Sequence, residues 1–258
     1  MIDIHCHILP GLDDGAQRIE DSLAMARLAA QEGIRKIVAT PHHMTSRYEN
    51  PKQFVLEKVK EVNTELRANG IPVEVLPGQE IRIFGELLDD EKRGLILPVN
   101  QSPYCLIEFP SNHVPSYAER LFYDMQMKGL IPVIVHPERN SQFIEQPDKL
   151  FVFVEKGTLT QVTAGSIVGK LGKKIQKFSL SLIEANLTHF LASDAHNTTT
   201  RPFYMAEAYS VIEKQFGMDY VYLFRENAEL VIQGKTIYKE TPEKIKRKRI
   251  WRLFSHMI

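Results

Sequence analysis

Cysteine is nearly absent from this chain. Its 258 residues include two, Cys6 and Cys105, too few for a disulfide framework, and each lies in an apolar run where a thiol packs as a small hydrophobe. That usage fits a reducing cytoplasm. An excess of charge is missing as well, since Lys plus Arg and Asp plus Glu both total 32. With no global basic field and no basic, aromatic-studded face, nucleic acid is not an expected partner. No apolar stretch reaches the ~20 residues that cross a bilayer, and no basic segment with an apolar core opens the chain, so a soluble protein is expected. Neither a Gly-x-Gly-x-x-Gly turn after the first strand nor a Walker-type lysine loop is present, which removes Rossmann and P-loop readings. Internal repeats, low-complexity segments and linkers are also lacking.

What is there is a regular alternation. Leu23, Ala26 and Ala30 recur at helical spacing and Gly33 closes that helix. A buried strand follows at 34–40. Pro51 opens a second helix with Val55, Val59, Val62 and Leu66 on one face, stopped at Asn69-Gly70. Strands are predicted at 71–76, 104–107, 130–135, 159–164 and 189–192. Between them lie helices at 118–129 and 148–156, and one marked by Leu171, Ile175, Phe178 and Leu182. Continuous apolar strands separated by amphipathic helices predict an α/β fold with a parallel sheet covered on both sides. About seven such units favour closure into a single TIM-like barrel domain spanning 1–258, with 235–258 a basic C-terminal extension.

The polar residues that end these strands are of one chemical kind. His5 and His7 sit at i and i+2 on the opening strand, so both imidazoles share a face while Cys6 points away. Gly11 and Gly15 bracket a tight loop that carries Asp13 and Asp14 back towards them. His42, Glu80, Glu108, His136, Asp194 and His196 follow later strands. His43, His113, His189 and His256 do not share this placement. In a parallel barrel the C-terminal strand ends converge on one mouth, so residues scattered over nearly two hundred positions would meet there. Imidazoles and carboxylates without thiolate suit Mn, Fe or Zn, and the set exceeds what one ion can use, so two or three ions are expected. Such a centre clamps a phosphoryl group. Arg139 and Arg201 fall on loops rimming the same mouth, and the planar guanidinium suits phosphate oxygens.

These residues resemble the polymerase and histidinol phosphatase (PHP) superfamily, in its branch of bacterial protein-tyrosine phosphatases tied to capsule and exopolysaccharide kinases. The matching blocks are Asp3-Ile4-His5-Cys6-His7-Ile8-Leu9-Pro10-Gly11 with Asp13-Asp14-Gly15-Ala16, Ala39-Thr40-Pro41-His42-His43, Gly78-Gln79-Glu80, Glu108-Phe109-Pro110, His136-Pro137-Glu138-Arg139-Asn140 and Ser193-Asp194-Ala195-His196-Asn197. The match runs to about Arg201 and is looser beyond. The resemblance implies a distorted barrel and a trinuclear, usually Mn-dependent site. It would place one ion on His5, His7, Glu80 and Asp194, a second on Glu80, Glu108 and His136, and a third on Asp14, His42 and His196. Other branches often carry histidine at the positions of Asp14 and Glu108. Spacing alone leaves Asp13 and Asp14 as rival ligands.

The chemistry expected is hydrolysis of phosphotyrosine by a metal-bound hydroxide attacking phosphorus in line, with Arg139 and Arg201 on the charged oxygens and His196 or Asp14 assisting proton movement. A cysteine nucleophile is excluded, because that mechanism needs Arg six positions after Cys and here Leu12 follows Cys6 and Ser111 follows Cys105. The rival enzyme is a small-molecule phosphatase such as one for histidinol phosphate; the rival outside catalysis is a metal-binding regulatory module. The expected partners are phosphotyrosine proteins, above all a membrane-associated bacterial tyrosine kinase, and a second copy of the chain. The basic run at 244–254 offers a dock for acidic tails or for a membrane surface.

Overall fold

A computed structural model describes residues 1–246, and every strand pairing in it is parallel. The chain begins with β1 (Ile2–Cys6), α1 (Ile19–Gln31), β2 (Lys36–Ala39), β3 (His42–His43), α2 (Lys52–Ala68), β4 (Glu74–Pro77) and β5 (Glu80–Arg82). It continues through α3 (Leu87–Lys92), β6 (Tyr104–Glu108), α4 (Ala118–Met127), β7 (Ile131–Val135), α5 (Ser141–Glu145) and α6 (Pro147–Glu155). The remainder is β8 (Leu159–Thr163), α7 (Ala164–Ile167), α8 (Lys173–Glu184), β9 (Phe190–Ala192), α9 (Met205–Phe216) and α10 (Met218–Ile232). One sheet has the order β1-β2-β4 and the other β3-β5-β6-β7-β8-β9.

Two chain segments pass from the first sheet into the second. Pro41 follows β2 and has no N–H for the ladder, so pairing lapses before β3 starts at His42. Gly78 separates β4 from β5 in the same way; a side chain there would stand 2.8 Å from Val38 Cγ1. The sequence reading ran the second strand straight through to Thr40, ended another at 76, and missed both short strands. At the far side β1 meets the end of β9: His7 N donates to Ala195 O at 2.8 Å and Asp194 N donates to His5 O at 2.8 Å.

Burial explains why the strands read as unbroken apolar runs. Ile4, Val38, Leu76, Leu106, Val133 and Phe190 form one apolar cluster with Val231 and Ile232 of α10. The alternate residues, such as Ile37, Val75, Ile107, Ile134 and Leu191, join a larger cluster with the surrounding helices. Both faces of the strands are therefore dry, as parallel sheets require. Helices α9 and α10 lie beyond the last predicted element. Residues 235–246 follow without helix or strand, tied to the body by Tyr104 Oη to Lys235 O and Glu243 N to Ala185 O. Most of the basic run at 244–254 lies outside the described residues. Among those described, no helix is long and apolar enough to cross a membrane.

Candidate metal centre

The loop after β1 is built around contact with His7. Ala16 N donates to His7 O at 3.0 Å, and a Cβ on Gly15 would stand 2.0 Å from that same oxygen. Only glycine allows the approach. It brings Asp13 and Asp14 over the strand end, where their roles separate. Asp13 Oδ2 accepts from His7 Nδ1 at 2.7 Å and from His42 N at 3.0 Å, and its other oxygen accepts from Gly15 N. Its binding capacity is spent on orientation. Asp14 instead presents Oδ1 to His42 Nε2 at 3.4 Å and to His196 Nε2 at 3.5 Å.

At the centre, four donors crowd together. His5 Nε2 and His7 Nε2 stand 3.3 Å apart. Glu80 Oε2 is 3.3 Å from each, and Asp194 Oδ1 is 3.5 Å from His5 and 3.3 Å from His7. Donors ~2.0–2.1 Å from a shared tetrahedral centre are separated by roughly 3.3–3.4 Å. The spacing thus fits one ion. The tautomers agree: Gln161 Oε1 accepts from His5 Nδ1 at 2.8 Å and Asp13 Oδ2 accepts from His7 Nδ1, so that each neutral imidazole turns its Nε2 lone pair inward.

Register extends the cluster sideways. His42 pairs with Glu80 across β3 and β5, and Arg82 with Glu108 across β5 and β6. His42 Nδ1 is 2.9 Å from Glu80 Oε2 and 3.9 Å from Glu108 Oε2. Yet His42 Nδ1, Glu80 Oε2, Glu108 Oε2 and His196 Nε2 are all buried without a hydrogen-bond partner. Buried donor atoms that converge with so few hydrogen bonds among them fit a set of metal ligands. Three groups of donors result: His5, His7, Glu80 and Asp194; His7, Asp14, His42 and His196; and His42, Glu80 and Glu108. His136 lies outside these groups and bonds Glu80 Oε1 at 2.7 Å. His42 joins Glu80 and Glu108 in the third group, and His136 keeps its own contact with the other oxygen of Glu80.

Charge balance points the same way. Burial lowers His42, but the Glu80 and Asp14 carboxylates outweigh it and raise it to about 10. His7 is likewise held well above the ordinary imidazole range, burial being overcome by Asp13, Asp194 and Glu80. Glu108 moves up to about 7 through burial and the Glu80 charge beside it. His136 and His196 are pushed down to about 4, mainly by burial, with Arg139 adding to the first and His7 to the second. The carboxylates attract positive charge that protons on His7 and His42 partly supply; divalent ions would supply it without protonating the ligands.

Asp194 carries the arginines. Its Oδ2 contacts Arg139 Nη2 and lies 3.0 Å from Arg201 Nη2, while its Oδ1 faces the histidines. Arg139 also donates to Thr163 Oγ1 at 2.9 Å, and Arg201 Nη1 is 3.9 Å from Asp14 Oδ2. His136 and Asp194 both adopt positive φ, 37° and 53°. Non-glycine residues hold that conformation at a cost of ~1–3 kcal/mol, and such outliers cluster where function needs a side chain turned.

Sequence reasoning missed Gln161, which fixes His5, and Arg82, whose Nε lies 3.2 Å from Glu108 Oε2. Arg82 could have been found, standing two residues beyond Glu80 on the same strand face. Tyr48, stacked on His42 with ring centroids 6.1 Å apart, sits in a loop with no strand-end signal.

Fold and centre together define a metal-dependent α/β enzyme. The chain belongs to the CpsB/CapC family of capsular polysaccharide synthesis proteins, whose family model matches residues 1–233. It is 52% identical to tyrosine-protein phosphatase YwqE of Bacillus subtilis (strain 168), over 98% of this chain and 100% of that protein. It is 39% identical to the putative tyrosine-protein phosphatase CapC of Staphylococcus aureus, over 97% of this chain and 98% of that one. A crystal structure from work on Bacillus subtilis YwqE and Streptococcus pneumoniae CpsB, described as unique metal-dependent tyrosine phosphatases, superposes with a TM-score of 0.94 at 53% identity. That match covers 96% of this chain and 100% of the other.

Proposed function

We propose that this enzyme is a metal-dependent protein-tyrosine phosphatase acting on a bacterial tyrosine kinase and its substrates in capsular or exopolysaccharide synthesis. The observation that carries the reading is the tetrad of His5, His7, Glu80 and Asp194 at ion-sharing distances, with Arg139 and Arg201 on the outer oxygen of Asp194. The homology to tyrosine phosphatases supplies the substrate class.

In this reading His5, His7, Glu80 and Asp194 hold one divalent ion. Asp14, His42, His196, Glu108 and His136 serve the others, and Mn2+ suits the nitrogen and oxygen donors, with Fe and Zn as alternatives. When bound, the ions supply Lewis acidity towards the phosphoryl oxygens and acidify a bound water. The chain's residues do the rest. Arg139 and Arg201 grip the phosphoryl oxygens, aimed by Asp194 so that the guanidinium planes need no reordering on binding. Asp13 and Gln161 keep the His7 and His5 donors fixed. Tyrosinate, whose conjugate acid has a pKa of about 10, leaves with little help. His196 Nδ1 donates to Asp194 O at 2.9 Å, which turns its Nε2 inward, and the half-exposed Asp14 beside it links this end of the site to solvent.

A closed, distorted PHP-type barrel in a single domain is the architecture we assign. It is supported by the β9 to β1 seam and by the two segments shared between the sheets. The test of function is a comparison of turnover on a phosphotyrosine peptide and on histidinol phosphate, both with Mn2+ added. Faster turnover of the peptide is expected. Preference for histidinol phosphate would replace this reading with the small-molecule one, and no turnover of either would leave a metal-binding module.

A further inference from the structure

Beside the metal centre, between the ends of β6 and β7, a cavity of about 130 Å³ opens off the site. Its lining is of two kinds. Glu108, His136 and Arg139 line it next to the donors, and Phe109, backed by the fully buried Phe143 and Ile134, supplies an apolar wall. Arg139 Nε is buried there without a hydrogen-bond partner. Apolar cavities of ~150 Å³ hold benzene in an engineered protein, so the volume matches a single aromatic ring and little more.

The wall is preformed. Phe109 and Phe143 pack with ring centroids 5.8 Å apart in a cluster that includes Phe153. Asn140 Nδ2 donates to Pro110 O and His113 O, Asn140 Oδ1 accepts from Phe143 N, and Ser141 N donates to Ser111 O. These bonds clamp the loop after β6 onto the start of α5. A ligand would pay little to organise the cavity. Ser111, exposed, stands at its edge.

We infer that this cavity is an aryl subsite, taking the phenyl ring of a phosphotyrosine whose phosphoryl group lies on the donors and arginines next to it. The inference rests on the proposed phosphatase reading and explains how the site would prefer aryl over alkyl phosphates. Arg139 meets the anion charge, and the ring is buried against Phe109, which Phe143 supports from behind.

Binding, not turnover, tests it. The full chain loaded with Mn2+ is titrated with phenylphosphonate and with methylphosphonate, which share an anionic head and differ in the ring. The expected result is phenylphosphonate binding about tenfold tighter, with Ser111→Trp, an exposed position whose indole would fill the mouth, removing most of that preference. Equal affinity for the two ligands in the unaltered protein overturns the subsite. So does a Ser111→Trp variant that weakens both equally, since the cavity would then serve the anion. If the ring preference is found but no phosphotyrosine peptide is hydrolysed, the functional reading fails and the subsite stands.

Discussion

At the scale of single residues, the neighbouring carboxylates Asp13 and Asp14 do different work although nothing in their types distinguishes them. Asp13 holds the imidazole of His7 from behind, so Asp13→Ala should weaken metal affinity about 10–100-fold, as loss of an outer partner does; metal titration of the variant checks this. An unchanged affinity would mean that His7 needs no support. Far from the centre, His189 is fully buried and its Nδ1 accepts from Thr160 N at 3.1 Å. Burial, with Lys239 adding, lowers it to about 3. The unfolded chain takes up that proton near pH ~6.5 and the folded chain refuses it. Its contribution is therefore intact above that pH and is lost as pH falls towards 3. Urea unfolding at several pH values should show a steeper acid-side loss in the unaltered protein than in His189→Gln, by about one proton.

Among elements, the loop from β1 to α1 and the paired short strands β3 and β5 decide where the donors stand. Gly15→Ala puts a methyl into His7 O, so it should destabilise by ~2–4 kcal/mol and lower metal content, measured by thermal melting and metal analysis. Gly85, with open space around it, is the control and should tolerate alanine nearly unchanged. The His-x-His strand was legible because alternation is a local property. β3 and β5 were not: two or three residues are too few for a period to emerge, and they exist because Pro41 and Gly78 break longer strands whose partners lie elsewhere. His42 could thus be named as a donor, while its seat opposite Glu80 needed the register.

For the whole molecule, the centre is a cross-link among strands from the first to the last. Its donors come from β1, β3, β5, β6 and the loops after β1 and β9. Ions that bind the folded form alone stabilise it by mass action, ~2.7 kcal/mol at a hundredfold excess over Kd. Removing metal with a chelator should therefore abolish activity and also lower the melting temperature, and added Mn2+ should restore both. A melting temperature indifferent to chelator would contradict a shared centre.

The sequence by itself determined which residue types end the strands, the α/β alternation, and the absence of a thiol nucleophile, because each follows from spacing or composition read along the chain. Only the tertiary structure decided that Asp13 orients while Asp14 faces the donors, that His42 stands opposite Glu80 across β3 and β5, and that Asp194 holds both arginines. These are relations between side chains far apart in sequence or turned by backbone angles that no local pattern encodes. Distances of 3 Å arise from register and packing, which exist only once the strands are side by side.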